Sequence, residues 1–429
     1  MFWTVIAWGL AMAVGAETPA PDLDAMRDRV AVRVEELRGL RFRAPVPIHA
    51  AGDSAMQAQM RAQMRRFYPL EALRDEATAS VQLGLWPADR DLLASMEAVL
   101  DEQVAGYYDT DLDAFFVAER FVGDMLPIIM AHELTHALDD QHYSIDSLIA
   151  DVMADNDRVT ALASVVEGSG MLIMSRYMIE EMIAGRLSTE ALSQYQKSEM
   201  GRSARLLEAP PILQRDLLAP YILGMVFMLR GDLERLQTGF DAGAIDSVFA
   251  DLPQSSEQLL HPEKYWDRAQ RDDPTPMPDP DLARHLGKDW RKRAQGTLGE
   301  LRLAQLVGAS TPDLESQSLQ DPAAWTHPAA AGWDGDRWQL YTSGKDTATV
   351  LTTIWDTEAD AEEFAAAIAT GPQSQQAADS TIADSTRVPA ERSTPWSVQR
   401  EESVVVIVAG IEGKPAKVLA RAAHAVLSP

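Results

Sequence analysis

Residues 131–142 read "AHELTHALDDQH", and the spacing of their polar groups decides how the chain around them must be built. In a helix, residues four apart share a face, so His132 and His136 can bring two imidazole nitrogens to one ion. Glu133 lies about 100° further round the same helix. From there a carboxylate reaches a water beside the ion without binding the ion, which is the position of a general base. The flanking residues are apolar: "MLPIIMA" at 125–131 precedes the cluster, and Leu134, Ala137 and Leu138 run through it. The polar groups are thus set into a segment patterned for burial, where an unpaired polar group is expensive. The competing reading is two hydrogen-bonded core histidines beside an exposed glutamate.

A hydrolytic zinc site takes three protein ligands and leaves one position for water. Two residues compete for the third place. His142 has the spacing of the last ligand in HExxHxxGxxH, but Asp139 stands where that pattern has the glycine of a sharp turn, and aspartate adopts positive φ less readily. Glu167, in "RVTALASVVEGSGMLIMSR" at 158–176, is the only charged side chain between Arg158 and Arg176. A carboxylate in such apolar surroundings needs a cation, a donor, a metal or a proton. A salt bridge or a polar stripe with Ser164 and Gly168 reads the same way.

HELTH followed by a glutamate on a second helix resembles the gluzincin group of zinc metallopeptidases, of which thermolysin is the familiar member. More closely, "AHELTHALDDQH", "VVEGSG", "PYILGMVFM" and "SSEQLLHPEKY" together resemble a largely uncharacterised bacterial family of metallopeptidases, over roughly residues 100–300. The resemblance implies zinc, peptide-bond hydrolysis, ligands His132, His136 and Glu167, and Glu133 as base. It also implies a zincin-like fold whose edge strand, just before the zinc helix, binds a peptide by strand addition; "AFFVAE" at 114–119 suits that role, and an internal strand equally. The chain lacks the NExxSD surroundings of the thermolysin-type third ligand.

Metal-bound histidines normally donate their second ring N–H to a carboxylate or carbonyl, and Asp139 and Asp140 follow His136 closely enough to accept it. A hydrolytic site also wants a donor for the developing oxyanion. His261, Tyr265 and Tyr221 are candidates; His261 is favoured because it precedes a proline and so lies on a rigid local turn.

Outward from this centre the chain reads as predominantly α-helical within an α+β class. Apolar residues three or four apart predict helices from 22 to about 105 and at 147–183, 188–206 and 211–237. "GYYDTDLDAFFVAE" at 106–119 predicts a short hairpin, with Pro127 in the first turn of the helix after it. "PQSSEQLLHPEKYW" reads as a capped short helix stopped by Pro262, "DDPTPMPDPD" at 272–281 as a loop, and "TLGELRLAQLV" as a helix. After about 310, strand-like "DRWQLYT", "TATVLTTIW" and "SVVVIVAGI" interleave with helical "EADAEEFAAAIA" and "AKVLARAAHAVL", as in a ββα–ββα module. The expected division is a signal peptide at 1–16, a helix-rich zincin-like domain at 17–308 and a smaller α+β module at 309–429.

With 429 residues, 46% hydrophobic and 24% charged, the chain has globular composition and room for more than one core. A formal charge of −27 repels nucleic acid and anionic headgroups, and no nucleic-acid motif is present. The uncharged "MFWTVIAWGLAMAVGA" at 1–16 reads as a signal peptide, with an N-terminal anchor as the alternative; no later run is long enough to span a membrane. The absence of cysteine removes disulfides and thiolate ligands. Together these features predict a periplasmic or secreted zinc peptidase acting on a peptide or protein, of open oligomeric state. The rival from another class is a non-catalytic, zinc-stabilised binding or scaffold protein.

Overall fold

The computed structural model describes residues 22–67, 69–103, 106–119, 123–193, 204–314, 316–370 and 395–427. The expected signal peptide lies outside these residues, as does most of the helix expected at 188–206. The protein is α+β and mainly helical, with two small sheets.

The first 60 described residues already depart from an all-helical reading. Helix α1 (Leu23–Arg38) is capped by the Asp22 side chain, which accepts from the Ala25 N–H, and it ends at Gly39 with φ 73°. The next element is a strand, β1 (Ile48–Ala51), followed by α2 (Asp53–Phe67), α3 (Leu70–Gln82) and α4 (Leu92–Gln103). Four residues with both ends half-buried and the middle exposed carry no alternation that distinguishes a strand from a loop. A sheet partner decides the matter, because Ile48–Ala51 pairs in parallel with Phe115–Ala118.

That partner belongs to the hairpin expected at 106–119, formed by β2 (Gly106–Asp109) and β3 (Ala114–Ala118). The sheet order β1-β3-β2 makes "AFFVA" the central strand. The outer strands are β1 and β2, and β2, buried along its whole length, packs on the following helix. Helix α5 (Leu126–Tyr143) starts with Pro127 in its first turn and carries the HELTH residues.

The helix expected at 147–183 is two: α6 (Ile145–Val152) and α7 (Asn156–Ile183), with the Asp155 side chain capping α7 by accepting from the Asp157 and Arg158 N–H groups. Helix α8 (Pro211–Met228) is buried over most of its length and crosses α7 at glycines. A Cβ on Gly168 would lie 2.4 Å from the Gly224 carbonyl carbon, and one on Gly224 2.1 Å from the Ser164 oxygen. The two backbones touch there because neither residue has a side chain. Helices α5, α7 and α8 with the small sheet form the main core. "SSEQLLHPEKYW" forms two short helices, Glu257–Leu260 and Glu263–Trp266, and 272–281 is a loop.

The C-terminal part is a five-stranded sheet of order β4-β5-β6-β8-β7, antiparallel throughout, from β4 (Arg291–Gly296), β5 (Trp333–Ser343), β6 (Asp346–Trp355), β7 (Trp396–Glu401) and β8 (Val404–Ala409). Helix α9 (Gly299–Leu306) follows β4; α10 (Glu358–Thr370) and α11 (Lys414–Leu427) complete two ββα units. The boundary at 308/309 therefore cuts through this sheet: β4, read as part of the helical domain, pairs with β5. Its sequence, "RKRAQG", is too charged to announce a strand. The two parts are joined by buried contacts, among them the Thr349 hydroxyl donating to Gln82 Oε1 at 2.5 Å and Trp396 Nε1 to the Gln82 carbonyl at 2.7 Å.

Candidate metal centre

Helix α5 presents His132 and His136 one turn apart, and α7 packs against it with Glu167 at the same level. His132 Nε2 lies 2.9 Å from His136 Nε2 and 3.1 Å from Glu167 Oε2; His136 Nε2 lies 3.5 Å from the same oxygen. All three residues are buried. Tetrahedral ligands with metal bonds near 2.0–2.1 Å would stand about 3.3 Å apart, so the three atoms are spaced as if around one small ion.

Each glycine of "VVEGSG" has a task in this arrangement. Gly168 lets α8 approach α7. Gly170 makes room for the rings: a Cβ there would meet His132 Cε1 at 2.7 Å, His132 Nδ1 at 2.8 Å and His136 Cε1 at 2.9 Å. The Ser169 hydroxyl donates to Asp139 Oδ2 at 2.6 Å, and Arg38 Nε donates to Asp139 Oδ1 at 2.8 Å. This buried chain ties the histidine helix to the glutamate helix and both to α1.

Within the cluster, the Glu167 carboxylate and the His136 imidazole stabilise each other's charged forms. Burial pushes the Glu167 carboxyl up, but the charge on His136 and hydrogen bonds from both histidines outweigh it and hold Glu167 below its ordinary value. Burial pulls His136 down, yet the Glu167 carboxylate outweighs it and raises the imidazole. His132 is lowered by burial and by the charge on His136. Glu133 Oε2 accepts the Tyr108 N–H of β2 at 2.8 Å, and burial pushes its carboxyl up to about 8. Glu133 Oε1 and Glu167 Oε1 are buried without a hydrogen-bond partner, an arrangement that usually marks a missing ion, water or substrate. Two imidazoles and a carboxylate are the donor set zinc takes in hydrolytic sites; the residues present fit the ion.

The remaining candidates are placed elsewhere. His142 is half-buried at the end of α5, its Nε2 2.8 Å from the Arg41 carbonyl oxygen. Neither aspartate accepts an imidazole N–H: Asp139 binds Arg38 and Ser169, and Asp140 binds the Tyr108 hydroxyl and the Ile145 N–H. His261 does not join the cluster. Its Nε2 is 3.1 Å from Glu300 Oε1, whose carboxylate is buried and also receives the Thr326 hydroxyl. A buried acid six residues before the end of α9 drew the histidine away, and no local pattern around "LLHPEKY" announced it. Tyr265 donates to the Asp251 carbonyl. Tyr221, the candidate passed over, is the one beside the centre, its ring nearly parallel to that of His132 with centroids 6.1 Å apart.

A buried ion pair loses heavily when one partner is removed. Arg38→Met should therefore destabilise the fold by about 3–5 kcal/mol in urea denaturation, since it strands the Asp139 carboxylate, with Arg38→Met/Asp139→Asn recovering part of the loss. A change below about 1 kcal/mol, the worth of a surface pair, would show that the Arg38–Asp139 chain holds nothing in place.

A family model described as a domain of unknown function (DUF8575) matches residues 286–419. That span holds the five-stranded sheet and the start of α11, and none of the clustered residues. No curated protein and no solved structure matches the chain.

Proposed function

We propose that the chain is a zinc-dependent peptidase of zincin-like build, with His132, His136 and Glu167 as metal ligands and Glu133 as general base. The observation that carries the reading is the convergence of those three ligand atoms at 2.9–3.5 Å in a buried site. When bound, zinc supplies a Lewis acid that acidifies a water and polarises a carbonyl. The chain supplies the rest. The β2 backbone holds Glu133 by one oxygen, and the other, Oε1, has no protein partner, so it is the atom placed to take a proton from the attacking water and return it to the leaving amine. Tyr221 replaces His261 as the side chain proposed to face the developing oxyanion.

The alternative, a non-catalytic zinc clip, draws on the near-complete burial of the cluster. It calls for a fourth protein ligand, however, and the next histidine along the same helix, His142, is bonded to Arg41. Three protein ligands leave the open position that hydrolysis needs. A periplasmic or secreted location belongs to the same proposal, and no described helix is long and apolar enough to cross a membrane.

The reading is tested by incubating the purified protein with an unfolded protein substrate. Cleavage should stop with a chelator and return with zinc, and chelation should lower the melting temperature, because an ion held only by the folded state stabilises it. Cleavage indifferent to chelation would reject zinc catalysis.

A further inference from the structure

A cavity of about 440 Å³ runs from the surface between α6, α7 and the C-terminal sheet, and Glu167 is among its lining residues. Its walls are apolar: Ile149 and Val152 from α6, Val159 and Leu162 from α7, and, facing them, Ala294 of β4 and Trp338 of β5. Exposed Met153 and Gln295 stand at its mouth. From this geometry we infer that the C-terminal sheet, the part matched only by a domain of unknown function, closes a chamber that reaches Glu167 and accepts a bulky, uncharged side chain of the substrate. This rests on the peptidase reading and adds to it the substrate class and a role for the second module.

Three observations lead to that class. The first is size, since cavities of roughly 300–1,000 Å³ enclose small organic ligands, and a Phe or Leu side chain with flanking backbone falls within this range. The second is charge. The lining residues include no lysine, arginine or histidine, while two carboxylates border the space, Glu76 and Glu167. Glu76 is already paired with Arg302 at 3.0 Å and accepts from Asn156 at 3.2 Å. An acidic ligand would find no lysine, arginine or histidine among the lining residues to pair with, and a basic one would have to compete with Arg302 for Glu76. The third is origin. One wall comes from α7, the helix that carries Glu167, and the facing wall from β4 and β5, so a group filling the chamber touches both modules at once. β4 thereby acquires a function that its surface-like sequence conceals.

The test is direct binding, which needs neither metal nor turnover. N-acetyl-Leu-Phe-amide should bind the purified full chain saturably in calorimetry, with or without added zinc, and N-acetyl-Glu-Asp-amide should not. Val159→Trp and Ala294→Phe fill the chamber from opposite walls at half-buried positions. Each should weaken binding of the apolar peptide at least roughly tenfold, the scale of a filled or emptied apolar subsite, while thermal melts show that both variants fold. Equal binding of the acidic peptide, or unchanged affinity in both folded variants, overturns the inference. The two readings separate cleanly. Zinc-dependent cleavage without preference for Leu or Phe would overturn the chamber and leave the peptidase. Selective apolar binding in a chain that takes up no zinc would overturn the peptidase and leave the chamber.

Discussion

Glu133→Gln is expected to keep the metal and lose peptide hydrolysis by about 10²–10⁴-fold, the usual contribution of a positioned general base. The side chain touches none of the three ligand atoms by hydrogen bond; its contact is the Tyr108 N–H at 2.8 Å, which an amide oxygen can also accept. Glutamine has nearly the same shape, so the helix and both imidazoles stay where they are. It also removes a carboxyl whose ionisation burial disfavours, so stability should not fall. The proton-accepting capacity of Oε1 disappears. The check is a paired measurement of zinc per chain and turnover of a peptide substrate in wild type and variant. Full zinc with activity near background is the expected result; full activity in the variant would remove Glu133 from the mechanism.

Gly170→Ala should act in the opposite sense, abolishing metal uptake through a single methyl group. In an exposed helix, Gly→Ala gains up to about 1 kcal/mol. Here the added carbon would stand 2.7–2.9 Å from atoms of both imidazoles, closer than carbon atoms pack, and both rings are themselves buried. Either the rings rotate away from Glu167 or α7 moves away from α5, and both separate the ligand atoms. Zinc occupancy should fall at least roughly tenfold, the scale on which disturbing the support of metal ligands acts. A chelated wild-type sample serves as the reference for fold, compared by circular dichroism. Gly170→Ala with normal zinc content would mean that the site tolerates a shift the close contacts forbid.

The centre was legible because its chemistry is local. His132, Glu133 and His136 lie within five residues, and helical periodicity alone fixes their relative directions. Glu167 was legible for a different reason: a lone carboxylate in an apolar helix has few uses. What the sequence left open was everything decided between elements. Whether His142 or Glu167 completes the set depends on how α7 packs on α5, which the glycines at 168 and 170 permit but do not announce. His261 looked available because its partner, Glu300, is 39 residues away and belongs to another helix. "AFFVA" reads equally as an edge or an internal strand because β1, the partner that makes it central, has no alternation of its own. In the C-terminal part the ββα order was readable from long apolar strands, whereas "RKRAQG" became β4 only through pairing with β5. Local patterns therefore marked most of the elements and the clustered side chains, while β1, β4, register and domain boundary came from tertiary contact.

The central claim is that His132, His136 and Glu167 hold a zinc ion, and the most direct test is the metal content of the purified full-length protein by inductively coupled plasma mass spectrometry. The account predicts about one zinc per chain, lost in Glu167→Ala and retained in His142→Ala, since His142 is bonded to Arg41 and not to the cluster. No zinc after supplementation at neutral pH, or zinc retained in Glu167→Ala and lost in His142→Ala, would contradict it.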